Sequence, residues 1–369
     1  MSIDFDTLVH SLHVHWATCL AAGGGLTRPL TPVEVAVVDV PELPFTAQIY
    51  PGEVARVEFA HSFLAGLVEP LSVTPVRRAC LDGLEAVADS PDTDALVTEI
   101  CLELMVSVVL LHELFHILCG HLDEAVGGKQ GVKFSEAALG LTTGVRVSGE
   151  RPTGMPEDEL LGGYFRELEA DNCALQALAQ LPSPPNLRLF LTECLEVDRD
   201  RCDDPEDLIL GQLTGIEKVF AYRFLLVSVW QVIQALEAAR AEDVRRGVKG
   251  HPYPGARLLA AVLTLLESFV GVHIDKSGDC AVALDAHQAR EGRVFLDHVL
   301  KPVLVRAWPV GEDTLGVSGI EEIPAWVVLE VSNLMLGREP VTPSGQQLFR
   351  LDAVRKDTLE RLAPFKYFS

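Results

Sequence analysis

The chain has 369 residues, 48% of them hydrophobic, enough for one large domain or two ordinary ones with a real core. Its 30 basic and 53 acidic residues leave a formal net charge of −23, which repels nucleic acid and anionic membrane surfaces and excludes both as default partners. Eight cysteines without a paired framework, and an acidic, polar start at Met1-Ser2-Ile3-Asp4-Phe5-Asp6, point to free thiols in a reducing compartment.

The longest apolar windows, near 224–236 and 258–266, read as interrupted or shorter than the roughly 20 residues that cross a bilayer, so no membrane insertion and a cytoplasmic location are expected. In chain order, residues 5–20 read as a helix ending at Gly23-Gly24-Gly25. Val33, Val35, Val37, Val38 and Val40 make a strand stopped by Pro41 and Pro44, and 45–50 and 54–60 are two further strands around Pro51-Gly52-Glu53. This small sheet either offers an edge strand to an extended peptide or covers one side of a helical core.

From His61 the chain reads as helical: 63–69, then 75–88 with Thr74 as cap and Pro75 in the first turn. Ser90-Pro91-Asp92-Thr93 then separates a long helix over 94–122. Residues 125–156 are glycine-rich and aperiodic, long for a plain connection, and make a candidate lid. Helices follow at 156–181, 186–197, 216–246, 256–269, 281–300, 324–336 and 352–362. The run Glu196, Asp198, Asp200, Asp203, Asp204 lacks the glycine and final Glu of a calcium-binding loop and reads as solvated. His10, His13 and His15 read as solvated helix histidines.

The long helix 94–122 carries His112-Glu113-Leu114-Phe115-His116. Residues four apart sit one turn above each other, so His112 and His116 can aim both imidazoles at one point. That is half of a tetrahedral zinc shell, with room for a third ligand and a water whose proton Glu113 can take. The metzincin pattern fails, because its Gly and third His fall on Cys119 and Leu122. His121, about half a turn off in phase if the helix continues, reads as a helix-end residue. Cys119 and Cys173 read as buried small residues. Downstream, Glu167 and Asp171 share a helix face, so Glu167 can coordinate the metal while Asp171 orients a ligand histidine. Glu169 points about 200° away from Glu167 and reads as solvated or at the core edge.

His-Glu-x-x-His followed by Glu-x-x-x-Asp, and then His251-Pro252-Tyr253-Pro254-Gly255-Ala256-Arg257, resembles the gluzincin metallopeptidases of the HtpX and CAAX prenyl endopeptidase type over roughly residues 30–270. A looser likeness is to the soluble Lit phage-exclusion peptidases, on His-Glu-x-x-His-x-x-x-Gly-His. The resemblance implies one zinc per chain on His112, His116 and Glu167, with Glu113 as general base and Asp171 behind the metal ligands. It places His251 at the oxyanion and Arg257 in support of it.

The expected fold is mainly α with a small N-terminal β-sheet (α+β). An N-terminal helix (1–30) precedes a zincin-like, minigluzincin-like domain (31–272), and a C-terminal helical region of unknown role (273–369) follows. The expected function is zinc-dependent endopeptidase action on a protein or peptide substrate. The lid would hold the enzyme inactive until a substrate or activating partner moves it, and a role in bacterial phage defence or stress is in view. The alternatives are a catalytically silent, metal-binding regulatory protein and a zinc amidase acting on a small molecule.

Overall fold

In a computed structural model of the chain, the residues described are 3–23, 32–39, 45–49, 55–68, 71, 74–82, 91–121, 157–194, 208–245, 254–271, 285–307, 327, 329–333, 338–363 and 366. The protein is mainly helical with a small sheet near the N-terminus. Helix α1 spans Phe5–Ala22, and Asp4 caps it by accepting from the Thr7 N–H at 3.1 Å. Strands β1 (Val33–Val38), β2 (Phe45–Ile49) and β3 (Ala55–Ala60) form one sheet in the order β1-β3-β2. β1 runs parallel to β3, from Val33 opposite Ala55 to Val38 opposite Ala60, and β2 runs antiparallel to it. In the central strand Ala55, Val57 and Phe59 are buried while Arg56 and Glu58 alternate with them and pair at 3.1 Å. Among the described residues β1 and β2 are therefore the two edges.

Helices α2 (His61–Val68) and α3 (Thr74–Leu81) lead to α4, Pro91–Leu118, around which the other elements are arranged. Every residue from Ile100 to His121 is buried. A helix apolar on all sides has no solvent face to offer, so it becomes the centre of the core. α1, α2, α3 and strands β2 and β3 pack against α4, as do α5 (Glu157–Gln180) and α7 (Gly215–Arg245). The short α6 (Pro185–Leu189) is held to α4 by Glu103, whose carboxylate accepts from the backbone N–H of Asn186 and Leu187 at 3.0 and 3.3 Å. Trp16 of α1 donates to Ser107 of α4 at 3.0 Å. Helix α8 (Pro254–Val270) lies on α5 and α7, and Thr264 donates to Asn172 at 2.8 Å. One continuous apolar cluster runs from Phe5 to Val331.

At the C-terminal end, α9 (Ala286–Val294) starts at a capping box in which Asp285 and Gln288 satisfy each other's backbone N–H. It passes through a π turn, Phe295–Leu300, into α10 (Lys301–Ala307), so the helix expected to stop at 300 continues. The final helix α11 spans Pro343–Leu362, nine residues longer at its start than the expected 352–362. Thr342 accepts from the Gly345 N–H at 3.1 Å and Pro343 occupies the first turn, so the cap and proline set the boundary. Similarly, Pro91 and Asp92, expected to separate helices, are the first turn of α4. α11 packs on α5 and α8, where Leu168, Ala260 and Leu351 form a small separate cluster.

Two helices, Ala95–Leu118 and Gly215–Leu236, are long and apolar enough by length and composition to cross a membrane, contrary to the expectation that the longest apolar windows fall short. In this fold 78% and 83% of their windows are buried within the protein. His15 is half-buried rather than fully solvated: its Nε2 lies 3.1 Å from the Pro182 carbonyl oxygen. Among the described residues, Cys19, Cys80, Cys101, Cys119 and Cys173 form no disulfide.

Candidate metal centre

The last turns of α4 present His112 and His116 with their Nε2 atoms 3.0 Å apart. Across from them, α5 brings up Glu167, whose two oxygens lie 3.6 Å from His112 Nε2 and 3.7 Å from His116 Nε2. Ligand atoms about 2.0–2.1 Å from a tetrahedral ion are separated from one another by roughly 3.3 Å. The observed separations bracket that edge length, with a different oxygen of Glu167 facing each histidine. Glu113 is fully buried, and a carboxylate oxygen of it lies within 4.8 Å of donor nitrogens on both histidines. Buried His and Glu groups are thus positioned to hold a metal ion.

Each histidine is backed on its other ring nitrogen. His112 Nδ1 lies 2.9 Å from Asp171 Oδ1. Asp171 is in turn gripped by Arg257 of α8, whose Nε and Nη2 donate to its two oxygens at 2.7 Å each. This fork-to-fork pair is the strong form of a buried ion pair and fixes the carboxylate plane. Burial by itself would raise the Asp171 carboxyl, but the Arg257 charge and the contact with His112 hold it well below the usual carboxylate range. The resemblance led to Arg257 supporting His251; the structure gives Asp171 as its partner, and His251 lies outside the described residues, as does the candidate lid 125–156.

His116 is backed differently. Gly120 adopts φ 75°, the left-handed conformation that ends a helix, so the chain leaves α4 before His121. His121 then turns back, its Nδ1 lying 2.9 Å from His116 Nδ1 and its Nε2 2.9 Å from Glu169 Oε2. Lys366, beyond the end of α11, completes the series with its Nζ 2.7 Å from Glu169 Oε1. Glu169 lies at the core edge, one of its two expected placements, with a side chain 10% exposed and linked into this chain of contacts. The helical-phase argument for His121 fails because the helix does not reach it. Gly120 was the signal that could have shown this. Lys366 carries no such signal, being 197 residues from its partner.

The electrostatics divide the two candidate ligand histidines. Burial disfavours a charge on His112, yet the Asp171 and Glu167 carboxylates outweigh it and raise its pKa well above the ordinary value. Burial pushes His116 well below that value, with the neighbouring histidines acting in the same direction and Glu167 against it. The two carboxylates thus favour positive charge at His112, while burial keeps His116 neutral. Glu169 is likewise held below its ordinary range: burial raises it, and His121 and Lys366 more than offset this. No protein-family model, curated protein or solved structure matches this chain.

Proposed function

We propose that the protein is a zinc-dependent endopeptidase with a zincin-like core, in which His112, His116 and Glu167 hold zinc and Glu113 is the general base. The observation that carries this reading is the buried triangle of two Nε2 atoms and one carboxylate, with separations of 3.0, 3.6 and 3.7 Å, beside a second buried carboxylate. Two imidazoles and a carboxylate suit zinc, whereas magnesium and calcium favour shells of oxygen. A purely structural site would have no need of Glu113. Bound zinc would supply a Lewis acid that polarises a carbonyl and brings the pKa of a water down to about 7.

The chain's own groups then divide the work. Glu113 accepts a proton from the water that adds to the peptide carbonyl carbon, and returns it to the amine nitrogen as the C–N bond breaks. Burial of Glu113 excludes bulk water from that exchange. Asp171, fixed by Arg257, keeps the His112 ring oriented so that Nε2 faces the metal. A peptide substrate is favoured over a small molecule by the sheet packed against α4, whose β1 and β2 edges suit an extended chain.

The test is cleavage of a denatured protein and a peptide library by the zinc-loaded full chain, with Glu113→Gln alongside. Loss of about 10²–10⁴-fold in rate with zinc retained is expected for Glu113→Gln. Cleavage undiminished in that variant, or none by the zinc-loaded wild type, would overturn the peptidase reading.

A further inference from the structure

We infer that His121, Glu169 and Lys366 form a positioning relay that presents the Nε2 lone pair of His116 to the metal, and that the segment after α11 therefore completes the centre through Lys366. The inference rests on the metal-centre reading above and deepens it. Its basis is a line of contacts, each within hydrogen-bonding distance: His116 Nδ1 to His121 Nδ1 at 2.9 Å, His121 Nε2 to Glu169 Oε2 at 2.9 Å, and Glu169 Oε1 to Lys366 Nζ at 2.7 Å.

Proton accounting along that line has one solution when His116 Nε2 binds a metal. Its proton must then sit on Nδ1, which donates to His121 Nδ1. His121 accepts there, so its own proton is on Nε2, where the Glu169 carboxylate receives it. Lys366 donates to the other oxygen of Glu169 and keeps that carboxylate ionised and in place, as its fully donating ammonium requires. Each ring N–H on the line meets an acceptor and neither ring is left to choose its tautomer.

The rival reading of the same cluster is a second metal ion. Cys119, His121 and Glu169 carry ligand atoms within 4.8 Å of one another. Two observations oppose it. The Lys366 ammonium already pairs with the Glu169 carboxylate at 2.7 Å, so a second cation on that carboxylate would meet a like charge. In addition, a metal on His121 Nε2 would move that ring's proton to Nδ1, facing His116 Nδ1. His116 would then have to carry its proton on Nε2, and the first site would be lost. The two ions exclude each other, and the relay is what remains.

The experiment measures zinc affinity of the full-length protein by competition with a chromophoric chelator, together with zinc per chain by elemental analysis. The variants are His121→Phe, Lys366→Met, Lys366→Arg and Cys119→Ser, with the absorption bands of the cobalt(II)-substituted forms as a second readout. Loss of a group behind a ligand histidine costs about 10–100-fold in metal affinity. His121→Phe and Lys366→Met are each expected to lose affinity in that range and to shift the cobalt bands. Lys366→Arg should restore most of the affinity, and Cys119→Ser should bind as wild type does. Lys366 is partly exposed, so its variants report even where His121→Phe fails to fold.

Wild-type affinity in folded Lys366→Met and His121→Phe overturns the relay while leaving the metal centre standing. Two zinc ions per wild-type chain, one of them lost in Cys119→Ser, overturns it in favour of a second site. No zinc in wild type overturns both the relay and the centre on which it rests.

Discussion

Glu103 shows how a single buried carboxylate sets a pH response away from the metal centre. Burial pushes its carboxyl up to about 7, while the Asn186 and Leu187 N–H groups pull the other way. A folded value above the unfolded one means that the group's contribution is fully present below roughly pH 4.3 and is lost as the pH rises through about 7. Glu103→Gln keeps an acceptor for the Asn186 N–H without the charge. The variant should gain on wild type between pH 5 and pH 8 by up to roughly 3 kcal/mol in urea-unfolding free energy. An unchanged difference between the two proteins across that range would show that Glu103 does not titrate there. Asp171 has the opposite sign: its carboxyl is depressed, so its contribution is present above about pH 4 and lost only as the pH falls further.

At the scale of elements, the end of α4 matters as much as its body. The helix was legible because its apolar residues cover all faces, and the four-residue histidine spacing put both rings on one side. Glu167 and Asp171 were legible for the same reason, one turn apart on α5. The contact of His121 with His116 is not legible from helical phase because Gly120 ends the helix before it, and the contacts of Glu169 with His121 and Lys366 join elements far apart in sequence. The start of α11 was missed because the Thr342-Pro343 boundary is local chemistry that apolar periodicity does not register. Gly120→Ala places a β-carbon on a left-handed residue, which costs about 1–2 kcal/mol. The same change should swing His121 off His116 and weaken zinc binding, and Gly120→Asn, which tolerates this conformation better, should be milder. An alanine variant as stable as wild type, with the same zinc affinity, would mean that the turn at Gly120 does not position His121.

Over the whole molecule, the candidate metal centre joins parts of the chain that are far apart in sequence. α4 supplies two histidines and a glutamate, α5 supplies Glu167, Glu169 and Asp171, α8 supplies Arg257, and the C-terminal segment supplies Lys366. That last connection had no sequence signature, since long-range pairing of one lysine with one glutamate leaves no period or motif. A ligand that binds only the folded assembly stabilises all of it. Zinc at 100 times its Kd should raise the unfolding free energy of metal-stripped protein by about 2.7 kcal/mol, seen as a higher Tm. The Tm of Glu167→Ala should hardly move. A zinc-dependent rise of equal size in that variant would place the ion elsewhere.

The most direct measurement is the zinc content of purified wild type, Glu113→Gln and Glu167→Ala by elemental analysis. One zinc per chain in wild type and Glu113→Gln, with most of it lost from Glu167→Ala, is the predicted result. A wild-type chain that purifies without zinc and takes up none on addition would contradict the account at its centre.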